Sequence, residues 1–129
     1  MATTLAGSSL RRMWHQLGTS DADIEAMELQ ESARGAGATA IDQCVCGEIV
    51  TVCGPLRSVT LLPVAGLASV EAELYDGTGS IALIWMGRRR IQGIEPGRVL
   101  TATGRLGTSQ GHRVIYNPRY ALRPITVGE

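Results

Sequence analysis

The residues of this 129-residue chain best equipped for chemistry are arginines and tyrosines. Arg88, Arg89 and Arg90 are consecutive, and Arg57, Arg113 and Arg119 are spread along the same stretch, residues 57–120, as Tyr75, Tyr116 and Tyr120. A guanidinium is a planar fork that grips a phosphate through two hydrogen bonds and stacks on flat rings, and a tyrosine offers such a ring. Together these types suit non-covalent capture of a ligand that carries both phosphates and aromatic rings. The competing reading of Arg88–Arg90 is a solvated turn whose charges pair with Glu95 or Glu48. For Tyr116 and Tyr120 it is a half-buried position at a sheet edge.

Other constellations carry less. His15 and His112 stand apart, without an H-x-E motif, a nucleophile elbow or a P-loop, so no catalytic role is expected. The glycines of Asp76-Gly77-Thr78-Gly79-Ser80 link two extended segments instead of opening a helix, which excludes a phosphate cradle. Asp76 is expected to cap its own turn. Cys44, Cys46, Cys53 and His112 raise the question of zinc, but C-x-C-x6-C lacks the paired C-x2-C knuckles of structural sites. Cys44 and Cys46 fit better as small core residues on one face of a strand. No metal, cofactor or disulfide is expected.

Composition sets wider limits. A hydrophobic fraction of 44% with 19% charged residues describes one folded domain with a real core, built without phenylalanine. No apolar run reaches the roughly 18 residues that span a bilayer. The N-terminus lacks the order of a secretory signal, so a cytoplasmic location is expected. All twelve basic residues are arginine, the usage of a GC-rich genome, and the formal net charge is zero. That balance argues against a strongly electrostatic binder. Residues 97–129 nevertheless carry five Arg against one acid, a modest basic bias.

The elements that must position these residues read as follows. SSLRRMWHQL, residues 8–17, has Leu10, Met13, Trp14 and Leu17 on one helical face. Ser20-x-x-Asp23 resembles a capping box that opens a second helix, Asp21 to about Ala33, with a thin stripe of Ile24, Met27 and Leu29. A small-residue linker closes this helical extension, residues 1–40, and residues 41–129 read as strands. CVCGEIVTVCG predicts a long first strand bent at Gly47, with Pro55 as a kink and RSVTLLPV continuing it. VEAELYDGTGSIALIWM predicts the clearest feature, a hairpin that alternates with period two on both sides of Asp76–Ser80. GRRRIQGIEPG is broken by glycine and proline and holds one helical turn at most. RVLTATGRLG and HRVIYNPRYAL are a fourth and a fifth strand around the turn GTSQG, with Pro118 implying an edge or a bulge, and the tail RPITVGE is expected to fray. Five short strands with glycine corners predict a mainly β, closed five-stranded Greek-key barrel behind a helical N-terminal extension.

The residues Leu74, Asp76, Gly77, Thr78, Gly79, Ile81 and Leu83 resemble the OB-fold of the anticodon-binding and DNA-repair type, in which a strand ends Leu-x-Asp-Gly-Thr-Gly. GRRRIQGIEPG and YNPRY look similar to short actinobacterial OB-fold nucleic-acid-binding proteins that carry a helical N-terminal extension. The resemblance implies a ligand groove across the second and third strands, flanked by the loops between strands 1–2 and 4–5. Carried over, the groove-facing residues are Glu71, Glu73 and Tyr75, then Ser80, Ala82, Ile84 and Met86. Trp85 shares the parity of the core residues Ile81 and Leu83 and is expected inside.

Two functions follow as expectations. The first is a non-catalytic module binding single-stranded DNA or RNA, weakly and with little sequence preference. Its nucleic-acid-binding residues are Arg57, Tyr75, Arg88, Arg89, Arg90, Arg113, Tyr116 and Arg119. The face departs from a strong binder in its two glutamates and few aromatics. The second is a protein-interaction or self-assembling module, docking a partner or a second copy through an exposed Ile84/Met86 patch or through helix 8–17.

Overall fold

The computed structural model of the protein describes residues 20–124. The helical segment expected over residues 8–17 and the tail beyond residue 124 lie outside that range. A helix, α1 (Asp21–Gly35), begins where the capping pattern places it. Ser20 Oγ accepts from the Asp23 amide at 3.2 Å and donates to the Asp23 carboxylate at 2.8 Å. Ile24 and Ala33 are its buried residues. A single 3-10 turn at Ile41–Gln43 leads into the sheet.

Seven strands follow, β1 (Ile49–Val64), β2 (Leu67–Tyr75), β3 (Ser80–Met86), β4 (Val99–Arg105), β5 (Gly107–Ser109), β6 (His112–Tyr116) and β7 (Arg119–Leu122). Their order in the sheet is β5-β6-β3-β2-β1-β4-β7. The architecture is therefore mainly β and OB-like behind a helical N-terminal part, as the alternation predicts, but the expected five strands are seven and the ladder is not closed. Two of the expected strands are interrupted. The one expected over 98–107 breaks at Leu106, whose amide donates to the Glu48 carbonyl at 2.9 Å, and the turn residues Gly107–Ser109 then form β5. The one expected over 112–122 breaks at Asn117 and Pro118. Asn117 adopts φ 52°, a left-handed conformation that asparagine tolerates well.

β1 is the spine. Its first half, Ile49–Pro55, pairs with β4, and its second half, Leu56–Val64, pairs with β2. The bend lies at Gly54 and the irregular register between Leu56 and Ser58, not at Gly47, which precedes the strand. A Cβ on Gly54 would collide with the Tyr75 carbonyl oxygen, so only glycine lets β2 cross so close. Cys44 and Cys46 also precede the strand, which corrects their expected place on it. Cys44 follows the 3-10 turn and its thiol donates to the Ala40 carbonyl, and Cys46 lies exposed in a turn.

The core gathers Val52, Leu56, Leu74, Leu83, Leu100, Leu106 and Ile115 from six strands and bends of the sheet. Ile91 and Ile94 of the connector between β3 and β4 drop into it as plugs, and that connector holds no helix. Each such side chain contributes about 1.5–3 kcal/mol on leaving water. Trp85 faces inward as its parity requires, with 6% of its surface exposed. Its indole N–H donates to the Pro118 carbonyl at 3.1 Å, and Tyr120 meets it edge-on at 5.5 Å. Tyr120 in turn donates its hydroxyl to the Gln92 carbonyl, so this ring ties β7 to the connector.

The turn between β2 and β3 anchors the N-terminal part. Asp76 is 1% exposed, and its Oδ1 accepts from the Thr78 amide, the Thr78 hydroxyl and the Gly79 amide at 2.7–3.1 Å. Its Oδ2 accepts from the Ile41 amide at 2.8 Å, so the carboxylate reaches well beyond its own turn. Gly77, at φ +93°, lies so close under α1 that a Cβ would strike the Ala26 carbonyl, and Gln30 donates to the Gly77 carbonyl at 3.2 Å.

Asp76→Ala should therefore lower the unfolding free energy by roughly 3 kcal/mol in urea titration, because several buried donors lose their acceptor at about 1–3 kcal/mol each. Gly77→Ala should also destabilise the fold, acting on α1 and raising hydrogen exchange in the helix ahead of the sheet. Burial pushes the Cys53 thiol above its usual value, outweighing the Arg123 guanidinium that pulls it down. Iodoacetamide at neutral pH should thus alkylate exposed Cys46 in the native protein and Cys53 only in denaturant, read by mass spectrometry of the peptides.

Candidate functional site

Pairing registers put outward-facing residues into rows across the sheet. Thr60, Glu71, Ile84 and Tyr116 form one row, and Ser58, Glu73, Ala82 and Val114 the next. Tyr75 and Ser80 form a third. Above Ala82 and Val114 the short side chains leave a groove of about 400 Å³, lined in part by Ser58, Glu71, Glu73, Ser80 and Ala82. The turn from β5 to β6 supplies its far wall through Ser109, Gln110, His112 and Arg113. The groove thus runs along β3, which is about 20 Å long at ~3.3 Å per residue.

Of the seven residues expected to face the groove, Glu71, Glu73, Ser80, Ala82 and Ile84 line it, whereas Tyr75 and Met86 are not among its lining residues. Period-two alternation could not find Ser58, Gln110 or His112. The wall they complete depends on the parallel pairing of β6 with β3, between residues about thirty apart in sequence, for which no local pattern exists. Of the two loops expected to flank the groove, the β5–β6 turn lines it, whereas the tip between β1 and β2 does not.

The cations divide between the two ends. At the Ser80 end, Arg57 stacks its guanidinium over the Tyr75 ring, 3.5 Å from the centroid. The irregular register between Leu56 and Ser58 falls on Arg57 itself, the sort of bulge that re-aims a side chain. Arg113 lies by Gly79 at the same end and lines the groove. At the Met86 end the chain leaves β3 into Arg88, Arg89 and Arg90, all exposed. Arg34 pairs with Glu31, and among the described residues Arg88–Arg90 pair with neither Glu95 nor Glu48. Tyr116 is 46% exposed beside Ile84 and presents its ring to solvent. Arg119 stands apart from the groove lining, on β7 opposite Thr103 of β4.

Between these ends lie Glu71 and Glu73. The expected Ile84/Met86 patch does not form, because Ile84 is 6% exposed, its backbone flanked by β2 on one side and β6 on the other, and Met86 is half-buried. The floor is small and apolar, the middle acidic and the ends basic.

No protein-family model matches the chain, and no curated protein matches it. Solved structures do. One is the structure of RecG bound to a three-way DNA junction, with a TM-score of 0.58 and 22% identity over 66% of this chain. The match takes in 12% of the RecG chain, so this protein corresponds to a small part of that one. At that identity the likeness is one of fold, and it agrees with the strand order and registers above: the chain adopts an OB-like β fold with a helical N-terminal part.

Proposed function

We propose that the chain is a non-catalytic module that binds single-stranded nucleic acid, DNA or RNA, along the groove over β2, β3 and β6. The observation that carries this reading is a concave face with guanidinium groups at both ends, without ion-pair partners among the described residues, and flat side chains beside them. Arg57, Arg113 and Arg88–Arg90 hold phosphates at the two ends of β3, while the preset Arg57–Tyr75 stack and Tyr116 offer platforms to bases. Arg119 lies farther off, within the modest basic bias of residues 97–129. RecG, a fold neighbour, is seen bound to a DNA junction, which supports the same ligand class here. The zero net charge and two central glutamates keep the affinity modest. Of the alternative, docking of a protein partner or a second copy, the Ile84/Met86 patch falls away with the burial of Ile84, while its other surface, residues 8–17, lies outside the described residues.

Fluorescence anisotropy with a labelled mixed-sequence 15-mer is the direct measurement. With about three phosphates engaged, log K should fall against log[salt] with a slope of about −2, since single strands give ≈ −0.7 per contact. Replacing Arg88–Arg90 by alanine should flatten that slope and weaken binding about tenfold at low salt, with the thermal midpoint unchanged. Flat titrations of the native protein at low salt would remove the proposal.

A further inference from the structure

We infer that the middle of the groove reads the Watson–Crick edge of unpaired guanine through the carboxylates of Glu71 and Glu73, which makes the module guanine-preferring; this rests on the nucleic-acid reading above. Both glutamates project into the groove from alternate positions of β2, about 6.7 Å apart at two strand rises. Among the described residues neither carboxylate has an ion-pair or hydrogen-bond partner. Arg113, the cation that lines the groove, lies toward Gly79 at its end. Four acceptor oxygens thus face a cavity of about 400 Å³ whose floor, Ala82 and Val114, is flat and apolar enough for a ring to lie on.

The charge of the carboxylates decides which part of a nucleotide meets them. Phosphates are repelled from the centre and drawn to the arginines at the ends. A ribose hydroxyl lies next to its own phosphate, so bringing it to Glu71 or Glu73 would bring that charge too. The base edge is the part farthest from the phosphate, and the bases differ sharply in what they show there. Thymine and uracil place one N–H between two carbonyl acceptors, which a carboxylate repels. Adenine and cytosine each offer one amino group beside a ring-nitrogen acceptor. Guanine sets N1–H and the 2-amino group side by side, two donors that match the two oxygens of one carboxylate. No proton need move, and no other base fills both acceptors.

Competition titrations can test this with thymidine 15-mers carrying none, or three isolated guanines, a design that prevents guanine quadruplexes. Guanine should tighten binding about tenfold or more, within the range of one good bidentate contact. Inosine, which lacks the 2-amino group, should give back most of that gain. Glu71→Gln and Glu73→Gln, each folded with the native thermal midpoint, should abolish the guanine gain in one or both, while the weakening caused by the Arg88–Arg90 substitution persists. Equal binding of all oligonucleotides, or a guanine gain untouched by both glutamine variants, overturns the inference and leaves the general binding reading standing. Absence of binding to every oligonucleotide overturns both.

Discussion

One buried carboxylate holds the molecule's parts in their relation. Asp76 gathers donors from its own turn and from Ile41, so a single charged group fixes the β2–β3 hairpin and pins the N-terminal segment to it. A carboxylate out of water is tolerated only when its oxygens are filled, and here both are. The turn it shapes then presents Gly77 to α1 and sets Ser80 and Tyr75 across from each other at the head of the groove. Helix placement and groove geometry therefore share one cause.

The second organising device is the length of β1. One strand serves two ladders, and the change of partner demands the bend at Gly54 and the irregularity at Arg57. The bend closes the core. The irregularity frees Arg57 from the regular alternation and lets it cover Tyr75. A structural necessity of the fold thus delivers a cation and a ring, already stacked, at one end of the groove.

Much of this was legible in the sequence, and the limits have physical reasons. Residues Val70–Met86 could be read almost residue by residue, because alternation, turn glycines and β-branched side chains all specify the same hairpin. Trp85 and Ile81 went inside for the same cause. The start of α1 was legible in Ser20 and Asp23, whose side chains do the capping locally. What failed was non-local. Sequence alone places the bend at Gly47, because any glycine in an extended run looks alike until the crossing strand is known, and Gly54 is the one that β2 approaches. Alternation places Ile84 in the open because it gives the residue's face but not its neighbours, and β6, about thirty residues on, supplies one of them. The same contact hid His112 and Gln110 from view. Arg57 and Tyr75 were each legible as residue types, but their stacking depends on a register irregularity that no pattern encodes.

The breaks at Leu106 and at Asn117–Pro118 have one more effect. They leave the terminal strands of the sheet, β5 and β7, only three and four residues long, the latter entered from a proline and begun by an arginine. Unpaired backbone at a sheet margin is an invitation to strand addition by another molecule, and short, charged, proline-flanked margins decline it. A chain with no excess charge to keep its copies apart in solution has, in these interruptions, a built-in protection against amyloid-like stacking.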